Sequence, residues 1–413
     1  MIAIRRTIRT VVLAVVVAGV LLVGIAANAG AYLMDFTAPA AGREPAAYAG
    51  LSHARPGPYG VGLHRFRTDE APLDLTVWYP ARVGSADEPA LTYTYGVAML
   101  SASSPTALAT YGGQARLHAT PETVGGPYPL VVLSSGFAIT PESYGWLAEH
   151  LASYGLVVVA PDHREALDPR RLWEATRDRP DDVAATRAYV ASAAFGDGEL
   201  GGVVDPDTVA VVGHSYGGAT ALAAGGARVD ADAFDAACTE AGGDGPLGLL
   251  CDALLPRLGD IAGGTQERPS GSPVDAVVSL AGDAAMFGRP GLAAVTAPVL
   301  TIGGTADHDS PFAWTSALAY ESVGSARRTE VALEGAGHFV FTGPCARARR
   351  GLAVMPTGFC SDPAWERHQG HAVVRHYVAA FLLAELDRDV AARTALAPGR
   401  ATPDGVRFRA TGS

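Results

Sequence analysis

Val209-Ala-Val-Val-Gly-His-Ser-Tyr-Gly-Gly-Ala-Thr220 decides how this chain is read. An apolar run stops abruptly at Gly213-His214-Ser215-Tyr216-Gly217 and continues into small, helix-compatible residues. The pattern is strand, sharp turn, helix, with Ser215 at the apex. A serine hydroxyl becomes a nucleophile when the backbone lifts it clear and a base removes its proton; the turn supplies the first condition. Glycines two residues to either side let the chain turn without Cβ clashes. The pentapeptide alone is a weak signal in a chain with 49 glycines among 413 residues, so its surroundings must carry the argument.

Those surroundings alternate buried strands with helices. Upstream, Leu130–Ser134 and Leu156–Ala160 read as buried strands, and Pro141–Tyr154 and Asp181–Ser192 as helices. Downstream, strands are expected at Ala276–Leu280, Pro298–Ile302 and Thr329–Leu333, then a long helix from about Asp362 to Asp389. Val61–Arg67 and Leu73–Tyr79 read as an antiparallel pair, followed by a variable region rich in Ser, Thr, Ala and Gly. The expected fold class is α/β: a mainly parallel sheet covered by helices on both faces. Residues 59–389 form its domain; 228–273, too long for a plain crossover, read as a rim insertion or lid. Residues 35–58 read as a linker and 390–413 as a disordered tail.

The basic residues are all arginine, and the net charge is −11 although the first 34 residues hold three arginines and no acid. So acidic a body repels nucleic acid and anionic headgroups, which are excluded as main partners. Residues 11–34 carry no charge and follow Arg5, Arg6 and Arg9. They read as an export signal, either cleaved after Ala27-Asn28-Ala29 or retained as a membrane anchor, with Arg5-Arg6 an ordinary positive flank rather than a twin-arginine signal. Either way the body is expected outside the cytoplasm, secreted or anchored at the outer face of the membrane. Four cysteines suit that compartment. Of three possible pairings the local one is favoured, Cys238 with Cys251 and Cys345 with Cys360, each closing a short loop worth about 3 kcal/mol in the chain-entropy model.

In a parallel sheet, chemistry sits at the carboxyl ends of strands. One end delivers Ser215, a second delivers Gly303-Gly-Thr-Ala-Asp307-His-Asp309, and a third Glu334-Gly-Ala-Gly-His338-Phe339. Imidazole is the natural base near neutral pH, and it needs a carboxylate to fix its tautomer. Ser215, Asp307 and His338 supply the set, with Asp283, which also follows a strand, as the alternative acid. The backbone N–H groups of Tyr216 and Phe137 are the expected oxyanion donors, and Gly136 permits close approach. His308 between two aspartates lacks further ligands in range, so neither metal nor cofactor is expected.

On these residues, together with Ser134-Ser-Gly-Phe-Ala-Ile-Thr-Pro-Glu-Ser143 and Trp146, the chain resembles the α/β-hydrolase superfamily over residues 58–385. Within it, it looks like the bacterial relatives of platelet-activating factor acetylhydrolase and of cutinase-like polyester hydrolases, often labelled dienelactone-hydrolase-like. The resemblance implies a metal-free serine esterase or lipase acting on a small-molecule or lipid ester, with Ser215 as nucleophile and His338 as base. Cutinase-like members carry the acid where Asp307 stands, and the acetylhydrolase type where Asp283 stands. The other readings are a phospholipase A2-like acetylhydrolase of short-chain phospholipids and a non-catalytic surface binding protein on a hydrolase scaffold.

Overall fold

The computed structural model describes residues 50–413 except 68, 83–90, 242–244, 266–273, 350–358, 363, 401 and 413. The expected leader, 1–34, and most of the linker therefore lie outside the described residues. The strands are β1 (Gly60–Phe66), β2 (Leu75–Ala81), β3 (Thr92–Val97), β4 (Thr106–Gly112), β5 (Arg116–Leu117), β6 (Tyr128–Ser134) and β7 (Val157–Pro161). They continue with β8 (Val204–His214), β9 (Ala276–Leu280), β10 (Val299–Gly304), β11 (Arg328–Leu333), β12 (Arg347–Ala348) and β13 (Val406–Thr411). The main sheet has the order β13-β11-β10-β9-β8-β6-β7-β2-β1-β5. Its centre, β7 to β11, is parallel, flanked by antiparallel β2 on one side and β13 on the other.

Neighbouring residues of each central strand point to opposite faces, so a strand covered on both sides must be apolar throughout. Val132, Val159 and Val211 join one core cluster, while Val131, Val158 and Val212 join the other. The helices that concern the site are α1 (Gly145–Ala152), α2 (Leu172–Val190), α3 (Tyr216–Ala224), α4 (Ala231–Ala241), α5 (Gly245–Leu254), α6 (Leu258–Thr265), α7 (Arg367–Leu386) and α8 (Val390–Ala395). Val183 of α2 and Ala219 of α3 cover the first face; Leu147 of α1 and Val374, Val378 and Phe381 of α7 cover the second. Among the described residues no helix is long and apolar enough to cross a membrane.

Three expectations need correction. The tail is ordered: Asp389 caps α8 by accepting from the Ala392 N–H at 2.6 Å, and β13 pairs antiparallel with β11. Arg409 grips Glu330 through two bonds of 2.7 Å and Phe408 stacks on Tyr377. Alternate exposure along Val-Arg-Phe-Arg-Ala-Thr explains the strand, a period-two pattern easily hidden by an Ala, Gly and Arg-rich composition. The variable region likewise builds a second sheet, β12-β4-β3, around buried Tyr93 and Tyr95. The linker has ended by residue 51: Leu51 and His53 are buried, and the His53 N–H donates to Nδ1 of His376.

The described residues of the 228–273 segment form α4, α5 and α6 between α3 and β9. Cys238 of α4 is disulfide-bonded to Cys251 of α5, and Cys345 to Cys360.

Candidate active site

Ser215 sits between β8 and α3 at φ 56° and ψ −124°, a conformation that costs an L-residue about 1–3 kcal/mol. The flanking glycines explain how it is tolerated. A Cβ on Gly213 would run into the Gly217 carbonyl, and one on Gly217 into the Ser134 carbonyl. The Ser215 N–H is tied to the Leu280 carbonyl of β9 at 2.8 Å, so the strained turn is anchored on the sheet.

The loops after β10 and β11 meet above this turn, joined by the Ala306 N–H donating to the Ala336 carbonyl at 3.0 Å. His338 Nε2 lies 2.9 Å from Ser215 Oγ, and its Nδ1 lies 2.7 Å from Asp307 Oδ2. The other Asp307 oxygen accepts the N–H groups of Asp309 at 2.9 Å and Ser310 at 2.7 Å, which fixes the carboxylate plane. Asp283 stands apart from this chain: it accepts from the Ser310 hydroxyl at 2.9 Å. Of the two candidate acids, Asp307 is therefore the one bonded to the imidazole. Burial alone would lower the His338 pKa; the bonded Asp307 carboxylate, with Asp309 and Asp283 nearby, outweighs it and carries the pKa above 6.5. Burial pushes the Asp283 carboxyl up to about 6.

His214 holds the histidine loop. The Gly136 N–H donates to Tyr144 Oη at 3.0 Å, leaving the phenol hydrogen for Nδ1 of His214 at 2.8 Å. Nε2–H of His214 then faces the His338 carbonyl at 3.2 Å. This direction of donors needs a neutral imidazole, and burial, reinforced by the neighbouring His338, keeps its pKa well below 6.5.

Tyr216 opens α3, so its N–H is among those without an intrahelical acceptor, and Phe137 lies in the loop after β6. Their rings meet edge to face at 6.0 Å, and both residues line one cavity with Ser215 and His338.

Two supports of the Phe137 loop escaped the sequence reading. Arg179, 1% exposed, donates to the Ser135 carbonyl at 2.7 Å and the Gly136 carbonyl at 3.3 Å, while Glu165 accepts from its Nε at 2.7 Å and its Nη2 at 2.6 Å. Glu165 also accepts the Ala138 N–H at 3.3 Å. Beside them, His163 bridges Ser134 Oγ at 2.9 Å and Asp182 at 2.7 Å. This second Ser-His-Asp array is a strut, because Ser134 is fully buried and out of reach of a substrate. The polar run Asp162-His-Arg-Glu165 at the carboxyl end of a buried strand was the available signal.

The cavity has a volume of about 320 Å³. Phe137, Trp314, Phe339 and Phe359 give it aromatic walls, and Leu247 and Leu250 of the disulfide-bonded insertion close one side. Phe359, next to Cys360 of the second disulfide, packs against Phe339 at 4.5 Å.

Residues 101–236, which carry β6, the Phe137 loop and the Ser215 turn, match the chlorophyllase family model. Together with the sheet order and the Ser215 turn, that match decides the fold. The chain has the α/β-hydrolase fold. A bis(hydroxyethyl) terephthalate hydrolase from Streptomyces coelicolor is 32% identical to this chain over 149 residues, 36% of the chain and 44% of the relative. The similarity thus spans less than half the length of that relative.

Proposed function

We propose that the protein is a serine-dependent carboxylic ester hydrolase working outside the cytoplasm. The observation that carries the reading is the unbroken Ser215–His338–Asp307 hydrogen-bond chain opening into an apolar cavity. His338 Nε2 takes the Ser215 proton as Oγ attacks the ester carbonyl, and the Phe137 and Tyr216 amides receive the developing oxyanion. The imidazolium then protonates the leaving alcohol. Water, activated by the same imidazole, releases the acid and restores Ser215. The two disulfides support export, since such bonds persist in oxidising compartments, and residues 11–34 serve as signal or anchor.

The cavity wall favours a neutral, compact ester, and the name of the Streptomyces relative supports an aromatic one. The described lining residues include no arginine, whereas Asp283 and Asp309 are both among them. Anionic groups, phospholipid phosphates among them, are therefore disfavoured, and an acid product is driven out once formed. On bis(2-hydroxyethyl) terephthalate, its singly hydrolysed monoacid and a short-chain phosphatidylcholine, kcat/KM is expected to be at least about tenfold higher for the neutral diester. Equal rates on all three would overturn the assignment of substrate class, and no hydrolysis of any ester would overturn the reading itself.

Arg179 is a positioning residue in this scheme. Arg179→Ala leaves Glu165 buried without its partner and is expected to cost about 3–5 kcal/mol in thermal or urea unfolding. Arg179→Met combined with Glu165→Gln removes the charge conflict. It should recover most of the stability yet keep a kcat about 10–100-fold below wild type at little-changed KM, because the oxyanion donor is no longer held. Wild-type kcat in the double variant would show that the loop needs no clamp.

A further inference from the structure

We propose that His64, His118 and Glu199 form a zinc site at the sheet edge opposite β10 and β11, unrelated to the ester chemistry. Three chain segments converge there: β1 carries His64, the turn after β5 carries His118, and the turn before β8 carries Glu199. Among the described residues they are a group whose ligand atoms all lie within 4.8 Å of one another.

The spacing suits a small tetrahedral cation. Nδ1 of His64 lies 3.3 Å from Glu199 Oε2, and Nδ1 of His118 lies 3.4 Å from the same oxygen. Zinc bonds of about 2.0–2.1 Å at tetrahedral angles set ligand atoms about 3.3–3.4 Å apart. The two imidazole planes stand at 90° with centroids 4.7 Å apart, so the rings approach edge to face without colliding. His118 reaches this position through a left-handed backbone, φ 55°, while its N–H is held by the Leu63 carbonyl at 2.9 Å.

Hydrogen bonding alone leaves the cluster incomplete. Nδ1 of His64 is shielded from solvent and, although the Glu199 carboxylate lies 3.3 Å away, finds no hydrogen-bond partner of good geometry. Two imidazoles with one carboxylate are a donor set for zinc rather than for calcium or magnesium. With His118 and Glu199 half exposed or more, water can fill the fourth position.

Bound zinc would clip the short edge strand β5 and the Glu199 turn to β1. β1 is separated from β8 by β6, β7 and β2, about 19 Å at ordinary strand spacing, and none of the three residues lines the Ser215 cavity. Hydrolysis should therefore not depend on the metal.

The test uses the full chain, free of any histidine tag, stripped with chelator and dialysed against micromolar zinc. Metal analysis should find one zinc per chain, with a thermal midpoint that rises with zinc concentration. His118→Ala and Glu199→Ala, both at exposed positions, should each weaken zinc binding at least tenfold and abolish the zinc-dependent rise. Their far-UV circular dichroism and their metal-free midpoints should stay those of wild type. Wild type that takes up no stoichiometric zinc, or variants that bind it as wild type does, would overturn the site.

Discussion

Ser215→Ala is expected to lower kcat by about 10⁶-fold, because the nucleophile and its base act as one unit and removing either forfeits nearly the whole effect. A fluorophosphonate probe should label wild type stoichiometrically and leave the variant unlabelled. The fold should survive the change, since the Ser215 contribution to the turn is its backbone N–H on the Leu280 carbonyl, which alanine retains. Ser215→Gly offers an independent check. At φ 56° glycine relieves strain, so this variant should be inactive and more stable than Ser215→Ala by about 1 kcal/mol in thermal unfolding. Equal labelling of wild type and Ser215→Ala would remove the nucleophile from this position.

Asp307→Asn and Asp283→Asn separate two carboxylates that are equivalent by their places after strands. In Asp307→Asn the two backbone donors, Asp309 and Ser310 N–H, hold the amide oxygen and turn the NH₂ toward His338 Nδ1. The imidazole must then accept at Nδ1 and carry its proton on Nε2, where it can no longer take one from Ser215. Loss of about 10⁴-fold in kcat follows from the wrong tautomer. Asp283→Asn keeps an acceptor for the Ser310 hydroxyl and should cost less than about tenfold.

The pH profile gives the second readout. His338 must be neutral to act, and its pKa lies above 6.5, so wild-type kcat/KM should fall on the acid side with a midpoint above 6.5. Asp283 is one of the charges that raise this pKa. Removing it destabilises the imidazolium, lowers the His338 pKa and moves the acid limb to lower pH. A collapse of turnover in Asp283→Asn with Asp307→Asn active would reverse the two roles.

Features fixed by contacts between sequence neighbours are legible in the sequence. Runs such as Leu130–Leu133 and Val209–Val212 can be buried on both faces only in a covered sheet, and the glycines around Ser215 specify a turn that no bulkier residue could make. Cys238 and Cys251, only 13 residues apart, closed the loop their spacing suggested. β13 and the second sheet were obscured because half-buried edge strands carry only a short alternating pattern, which their composition hides.

Local sterics and periodic burial act over a few residues, so the amino-acid order specifies an α/β sheet with Ser215 at a strained strand-to-helix turn and acids and a histidine on later loops. The folded chain is what brings the Asp307 turn, and not Asp283, to His338, sets Arg179 and Glu165 against the Phe137 loop, and gathers His64, His118 and Glu199 at one corner. Each of those contacts joins segments far apart in the chain, and strand order and loop path, which no local pattern encodes, set the distance between them.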